Sequence, residues 1–173
     1  MTTLPPQLLQ DGEQALSPPL LSLSCLSTLW VPLDETTQQW AAFAQEAITV
    51  SALLATGTAF HGLAWETRAL RHYTWACHER KREHLRKEAH WLERAVQDLD
   101  CALDQWQQVL SWLDLAGNDD EQQDPASLDT IRLLMRQANE HQARRRILHR
   151  QVLQEYVGVR QQVHQQHGGD ERP

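Results

Sequence analysis

Leu85, Ala89, Leu92, Val96, Leu99, Leu103, Trp106, Leu110 and Leu113 follow one another at alternating steps of four and three residues. An apolar position every 3.5 residues, on average, keeps one helix face against a partner helix over many turns. This spacing therefore demands a coiled-coil or long-hairpin seam. No strand pattern survives it, because a strand alternates every second residue.

The partner of the seam is expected within the same chain. Ala116 to Pro125 is polar and acidic; Gly117 suits a left-handed helix end and Pro125 blocks continuation. Asp124 or Ser127 is placed to cap a final helix over about Leu128–Gln165. Its apolar set is Ile131, Leu134, Met135, Ala138, Leu148, Val152, Tyr156, Val159 and Val163. A short polar loop between two long helices favours an antiparallel return. Leu134, Ala138, Leu148 and Val152 are then expected to complete the seam. His141 and Arg145 interrupt the middle of that stripe. Either they fix register at a cost in stability, or the helix turns them to water.

Upstream, Pro5-Pro6 and Pro18-Pro19 bracket a region that cannot be one helix, followed by an uncharged Leu/Ser run from Leu20 to Trp30. Residues 1–33 are read as a flexible arm with a short docking helix. Asp34 is placed to cap a helix over about Glu35–Thr56, with Gly57 and Gly62 offering either a break or kink or a rod that continues through them. A long helix follows from Leu63 to Leu115, roughly 80 Å at the usual rise. The all-polar run His78–His84 shifts its apolar phase and reads as a stutter. The expected fold is all-α: an elongated antiparallel long-helix hairpin with one or two shorter N-terminal helices packed on it. The bundle spans 34–167 and a disordered tail spans 168–173.

Only seven Gly and seven Pro occur in 173 residues, which agrees with few turns. Seven Trp against two Phe and two Tyr is an unusual choice, and Trp75, Trp91, Trp106 and Trp112 lie on the expected long helix. Trp favours places where apolar surface meets polar surface, so a Trp-bearing flank is a candidate interface. Cys25, Cys77 and Cys101 show no paired spacing, as in a reducing compartment. The first Lys or Arg is Arg68, so the basic start of a signal peptide is absent. Ala47–Phe60, the longest uncharged apolar stretch weighed as a membrane span, has fewer than the roughly 20 residues one needs. An intracellular chain, in cytoplasm or nucleus, is the expectation.

Charge is segregated along the sequence. Residues 68–94 hold eight Lys and Arg against four Glu, every charged residue from Asp98 to Asp129 is acidic, and residues 132–160 hold seven Arg against two Glu. Folding about the loop sets Asp98–Asp114 beside Arg132–Arg145, which predicts interhelical ion pairs that choose register. It also leaves a basic far end. Arg68, Arg71, Arg80, Lys81, Arg82, Arg86, Lys87, Arg150 and Arg160 are the candidate contacts to an anionic partner. Nucleic acid is disfavoured by the net charge of −7 and the absence of any nucleic-acid-binding signature.

No chemistry-bearing motif emerges. The nine His include no pair four residues apart, and no Glu is followed by His three residues on. No phosphate loop or nucleophile elbow is present, so no cofactor, metal or catalytic residue is expected and the chain is read as not an enzyme. The expected function is a structural or adaptor subunit of an intracellular multi-protein assembly that contributes coiled-coil helices. Cytoskeletal, spindle-type and trafficking complexes are the settings by analogy. The expected partners are other helical proteins, in hetero- rather than homo-oligomers. The alternative is a monomeric helical module whose basic end docks an acidic protein tail or nucleic acid.

Overall fold

The computed structural model describes residues 33–46, 49–118 and 125–168. They form α1 (Leu33–Glu46), α2 (Val50–Lys81), α3 (Leu85–Asn118) and α4 (Pro125–Gly168), with no strand among the described residues. The expected arm through residue 32, loop residues 119–124 and the tail from residue 169 lie outside the described residues.

Pairs across the helices fix their directions. Glu66 meets Trp106, Arg68 meets Asp98 and Arg80 meets Glu88, so α2 and α3 are antiparallel. Gln107 meets Gln142, Asp100 meets His149 and Glu93 meets Tyr156, so α3 and α4 are antiparallel too. Consequently α2 and α4 run parallel, with Glu66 opposite Arg145 and Tyr73 opposite Glu155. The hairpin read from the seam is α3 and α4; α2, nearly as long as α3, packs along α3, and α1 packs on α2.

Helix boundaries differ from the sequence reading, first at the N-terminal helices. The first helix does not continue to Thr56 and break at the glycines. Thr49 adopts an extended backbone, and its hydroxyl accepts from the Ala52 amide at 3.1 Å, which caps α2. α2 then runs unbroken through Gly57 and Gly62. At Gly62 the missing side chain permits close packing, because a Cβ there would lie 3.2 Å from Nε1 of Trp106. Glycine serves contact here, not a bend.

The second difference is larger. No rod runs from Leu63 to Leu115; the chain reverses at Arg82–His84. The His84 amide donates to the Glu79 carbonyl at 3.1 Å, the Glu83 amide donates to Arg80 at 3.0 Å, and Glu83 has φ 59°. This is a Schellman ending with a left-handed residue, built on Glu instead of the usual Gly. A polar run long enough for one tight turn thus served as a corner, not a stutter. At the other end Gly117 stays within α3, no described Gly has positive φ, and Pro125 opens α4 ahead of Ser127. Proline fits a first helical position because its missing amide would have been unpaired there.

The α3 seam is wider than one heptad stripe. Leu92, Leu99, Trp106 and Leu113 are fully closed to solvent and Ala89 is buried, as the spacing required. Leu85, Val96, Leu103 and Leu110 are only half-buried. The row three residues beyond the closed set, Ala95, Ala102, Val109 and Ala116, is fully closed instead. α3 lies against α2 and α4 at once, so it needs two buried rows. α2 supplies Ala52, Ala55, Ala59, Ala69 and Ala76 to its buried side, and small residues let two helix backbones come close. On α4, Leu134, Ala138, Leu148 and Val152 are all buried. Each fully buried Leu contributes on the order of 1.5–3 kcal/mol.

The apolar core is in two parts. One cluster gathers Trp40 and Phe43 of α1 with Leu63, Trp106, Leu113 and Leu134. The other gathers Tyr73, Leu92, Leu99, Leu148, Val152 and Val159. Between them stands a polar layer.

Buried polar core and candidate interaction surfaces

Glu66 lies at the centre of that layer with no exposed surface. Its Oε1 accepts from Trp106 Nε1 at 2.6 Å and from His141 Nε2 at 2.7 Å; its Oε2 accepts from Arg145 Nε at 2.7 Å. Burial alone would raise this carboxyl. The His141 hydrogen bond and the Arg145 charge outweigh it and hold Glu66 below the usual carboxylate range. His141 and Arg145 therefore do not face water; both reach across to Glu66 of α2, and the His141 ring also packs on Trp106 of the α3 seam at 4.3 Å. Glu66 was missed from sequence, although it stands one heptad from Ala59 and from Tyr73, in their buried phase.

A second node lies toward the α2–α3 turn. Arg80 donates from Nε to Glu88 and from its terminal nitrogen to Glu155 at 2.6 Å, and the Tyr73 hydroxyl donates to Glu155 at 3.0 Å. Burial, then the nearby Glu155 charge, push the Tyr73 phenol upward, so it stays a neutral donor. Both nodes tie α2 to α4 with long polar side chains, where alanines bring α2 to α3. Buried ion pairs of this kind specify an arrangement more than they stabilise it.

Two candidate anion contacts, Arg68 and Arg80, are consumed by buried acids. Arg80 is inside the second node. Arg68 forms a two-point bridge with buried Asp98, at 2.6 and 3.0 Å, and its guanidinium lies 4.1 Å over the Trp65 ring. Arg71 and Arg150 are exposed along their helices, away from the turn. Lys81, Arg82, Arg86 and Lys87 are exposed together at the α2–α3 turn, with Arg160 on the neighbouring end of α4. The expected ladder of α3 acids with α4 arginines is not formed among the described ion pairs: the α3–α4 pair is Asp100 with His149 at 2.8 Å. Asp98 turns to α2, Arg145 turns to Glu66, and Asp104, Arg136, Arg144 and Arg146 occupy outer faces.

The tryptophans divide. Trp106 is fully buried against Gly62 and Trp40 is nearly so, their rings 6.1 Å apart. Trp75 and Trp91 pack on each other at 4.6 Å beside His72, and Trp75 is 42% exposed. Between α1 and α4 a cleft of about 260 Å³ opens over Trp40 and Trp106, edged by Glu35, Gln39, Glu140 and Arg144.

One surface is apolar where it faces solvent. Val50 is 74% exposed, Leu53 52% and Leu54 43%, and Phe60 continues the row. No charged residue lies between Glu46 and Glu66. A helix that is apolar on its outer side as well as its inner side has not finished burying itself.

Fold and surfaces together define an all-α antiparallel helical bundle with a polar layer across its core and an apolar flank left uncovered by the described residues. Among the described residues no helix is long and apolar enough to cross a membrane, and no group of three His, Cys, Asp or Glu is placed to hold a metal ion. No protein-family model, curated protein or solved structure matches the chain.

Proposed function

We propose that this chain is a non-enzymatic structural or adaptor subunit of an intracellular multi-protein assembly, joining partner helices through the outer face of α2. The observation that carries this reading is the exposed row Val50, Leu53, Leu54 and Phe60 in an uncharged stretch. Burying it against a partner helix releases roughly 25 cal/mol for each Å² of apolar surface covered. The long hairpin supplies a stiff support for that face. A coiled-coil contact in a cytoskeletal, spindle-type or trafficking complex is the setting it suits, and a hetero-oligomer fits better than a homo-oligomer. Cys77 and Cys101 are free thiols, in keeping with a cytoplasmic setting.

The test is purification of the tagged chain from its native cells, with mass and helicity measured. The expected result is a stoichiometric helical partner that is lost in L53E/L54E while helicity is unchanged. A monodisperse, fully folded monomer without any copurifying protein overturns the proposal, as does a partner retained by the variant. Because the contact is apolar, it should persist when salt is raised.

A further inference from the structure

The groove between the first turns of α3 and the last turns of α4 is rimmed by a repeated pair. α3 places Arg86 and His90 on it, and α4 places Arg160 and His164 on it. Residues four apart share one helix face, so four nitrogen-bearing side chains surround one opening of about 510 Å³. Its floor is apolar, from Ala89, Tyr156 and Val163. None of these residues belongs to α2, so the groove is separate from the apolar flank.

Four acids of this end are already engaged, while Glu83 stands exposed at the turn. Glu88 and Glu155 are buried on Arg80, and Glu79 is held at 2.8 Å by His84, whose hydrogen bond lowers its carboxyl. Glu93 accepts from the Tyr156 hydroxyl at 3.3 Å. The Arg160 guanidinium lies 6.0 Å from the Tyr156 ring centre and stays exposed, as does Arg86. Lys81, Arg82 and Lys87 add positive charge at the adjoining turn. The opening continues over α4 to Val157, which is 45% exposed.

We propose that this groove docks an acidic polypeptide segment of a partner protein, one that alternates carboxylates with apolar side chains. The carboxylates pair with Arg86 and Arg160, and the apolar side chains lie on Tyr156 and Val163. Arginine presents a planar fork that matches a carboxylate. A peptide is favoured over a nucleic-acid backbone because the floor between the two arginines is apolar and matches aliphatic side chains better than a run of phosphates and sugars. Binding of this kind gains its specificity and encounter rate from charge.

The experiment uses the full chain and fluorescence anisotropy of a labelled peptide of alternating Glu and Leu. A Gln/Leu peptide and a single-stranded oligonucleotide of matched length serve as comparators. The Glu/Leu peptide is expected to bind, to weaken with salt, and to lose about tenfold or more in affinity in R86E/R160E. R86Q/R160Q should lose less, and R136E/R146E, elsewhere on the surface, should bind as the unaltered chain does. Circular dichroism of each variant verifies the fold. Equal loss in R136E/R146E, no loss in either groove variant, or preference for the oligonucleotide or the Gln/Leu peptide overturns the proposal.

Discussion

Arg145 Nε lies 2.7 Å from Glu66 Oε2, seventy-nine residues earlier in the chain, and both side chains are closed to solvent. This contact joins the parallel helices α2 and α4 at the level where the two apolar clusters part. Removing Arg145 leaves the buried Glu66 charge to His141 and Trp106 alone. R145M is expected to lose about 3–5 kcal/mol, measured by urea denaturation. The double variant E66M/R145M should recover part of that loss, since no lone charge remains. A single variant as stable as the unaltered chain contradicts the pairing.

Stability should also depend on acid through Glu66. Its carboxyl is held below the ordinary value of 4.5 when folded. The unfolded chain then binds the proton more readily, so this stabilisation is complete above about pH 4.5 and is lost as pH falls through the folded value. The urea midpoint is expected to drop more steeply below that pH in the unaltered chain than in E66Q. Identical slopes would remove Glu66 as the source.

The turn at Glu83 gives opposite expectations for two folds. In the observed Schellman ending Glu83 sits at φ 59°, so E83G relieves a left-handed strain and should raise stability by about 1 kcal/mol. In a continuous helix the same substitution would cost about 1 kcal/mol. The sign of the change in melting temperature decides between them.

Gly57 and Gly62 separate helix propensity from packing. A methyl at Gly57 meets nothing within 4 Å, so G57A should gain about 0.5–1 kcal/mol. At Gly62 the methyl presses on Trp106, which cannot shift without lengthening its 2.6 Å hydrogen bond to Glu66. G62A should therefore lose stability despite its better propensity, as overpacking typically costs about 1–3 kcal/mol. Thermal unfolding of the two variants, compared directly, tests this.

The sequence by itself determined the helical class, the hairpin of α3 with α4, and five of the seam's buried anchors: Ala89, Leu92, Leu99, Trp106 and Leu113. These follow from periodicity, which is local and repeats along the chain. Tertiary structure decided everything that depended on a third helix. With α2 folded back at Glu83, α3 acquired a second buried row at Ala95 and Ala102, and Asp98 found Arg68 instead of an arginine on α4. Glu66 carries a charge whose partners His141 and Arg145 lie seventy or more residues away. A polar residue in a buried phase signals that some partner exists; only the packing of three helices selects which one. The uncovered face of α2 is of the same kind. Its apolar residues were legible, but their exposure became visible only once the inner side of that helix was filled.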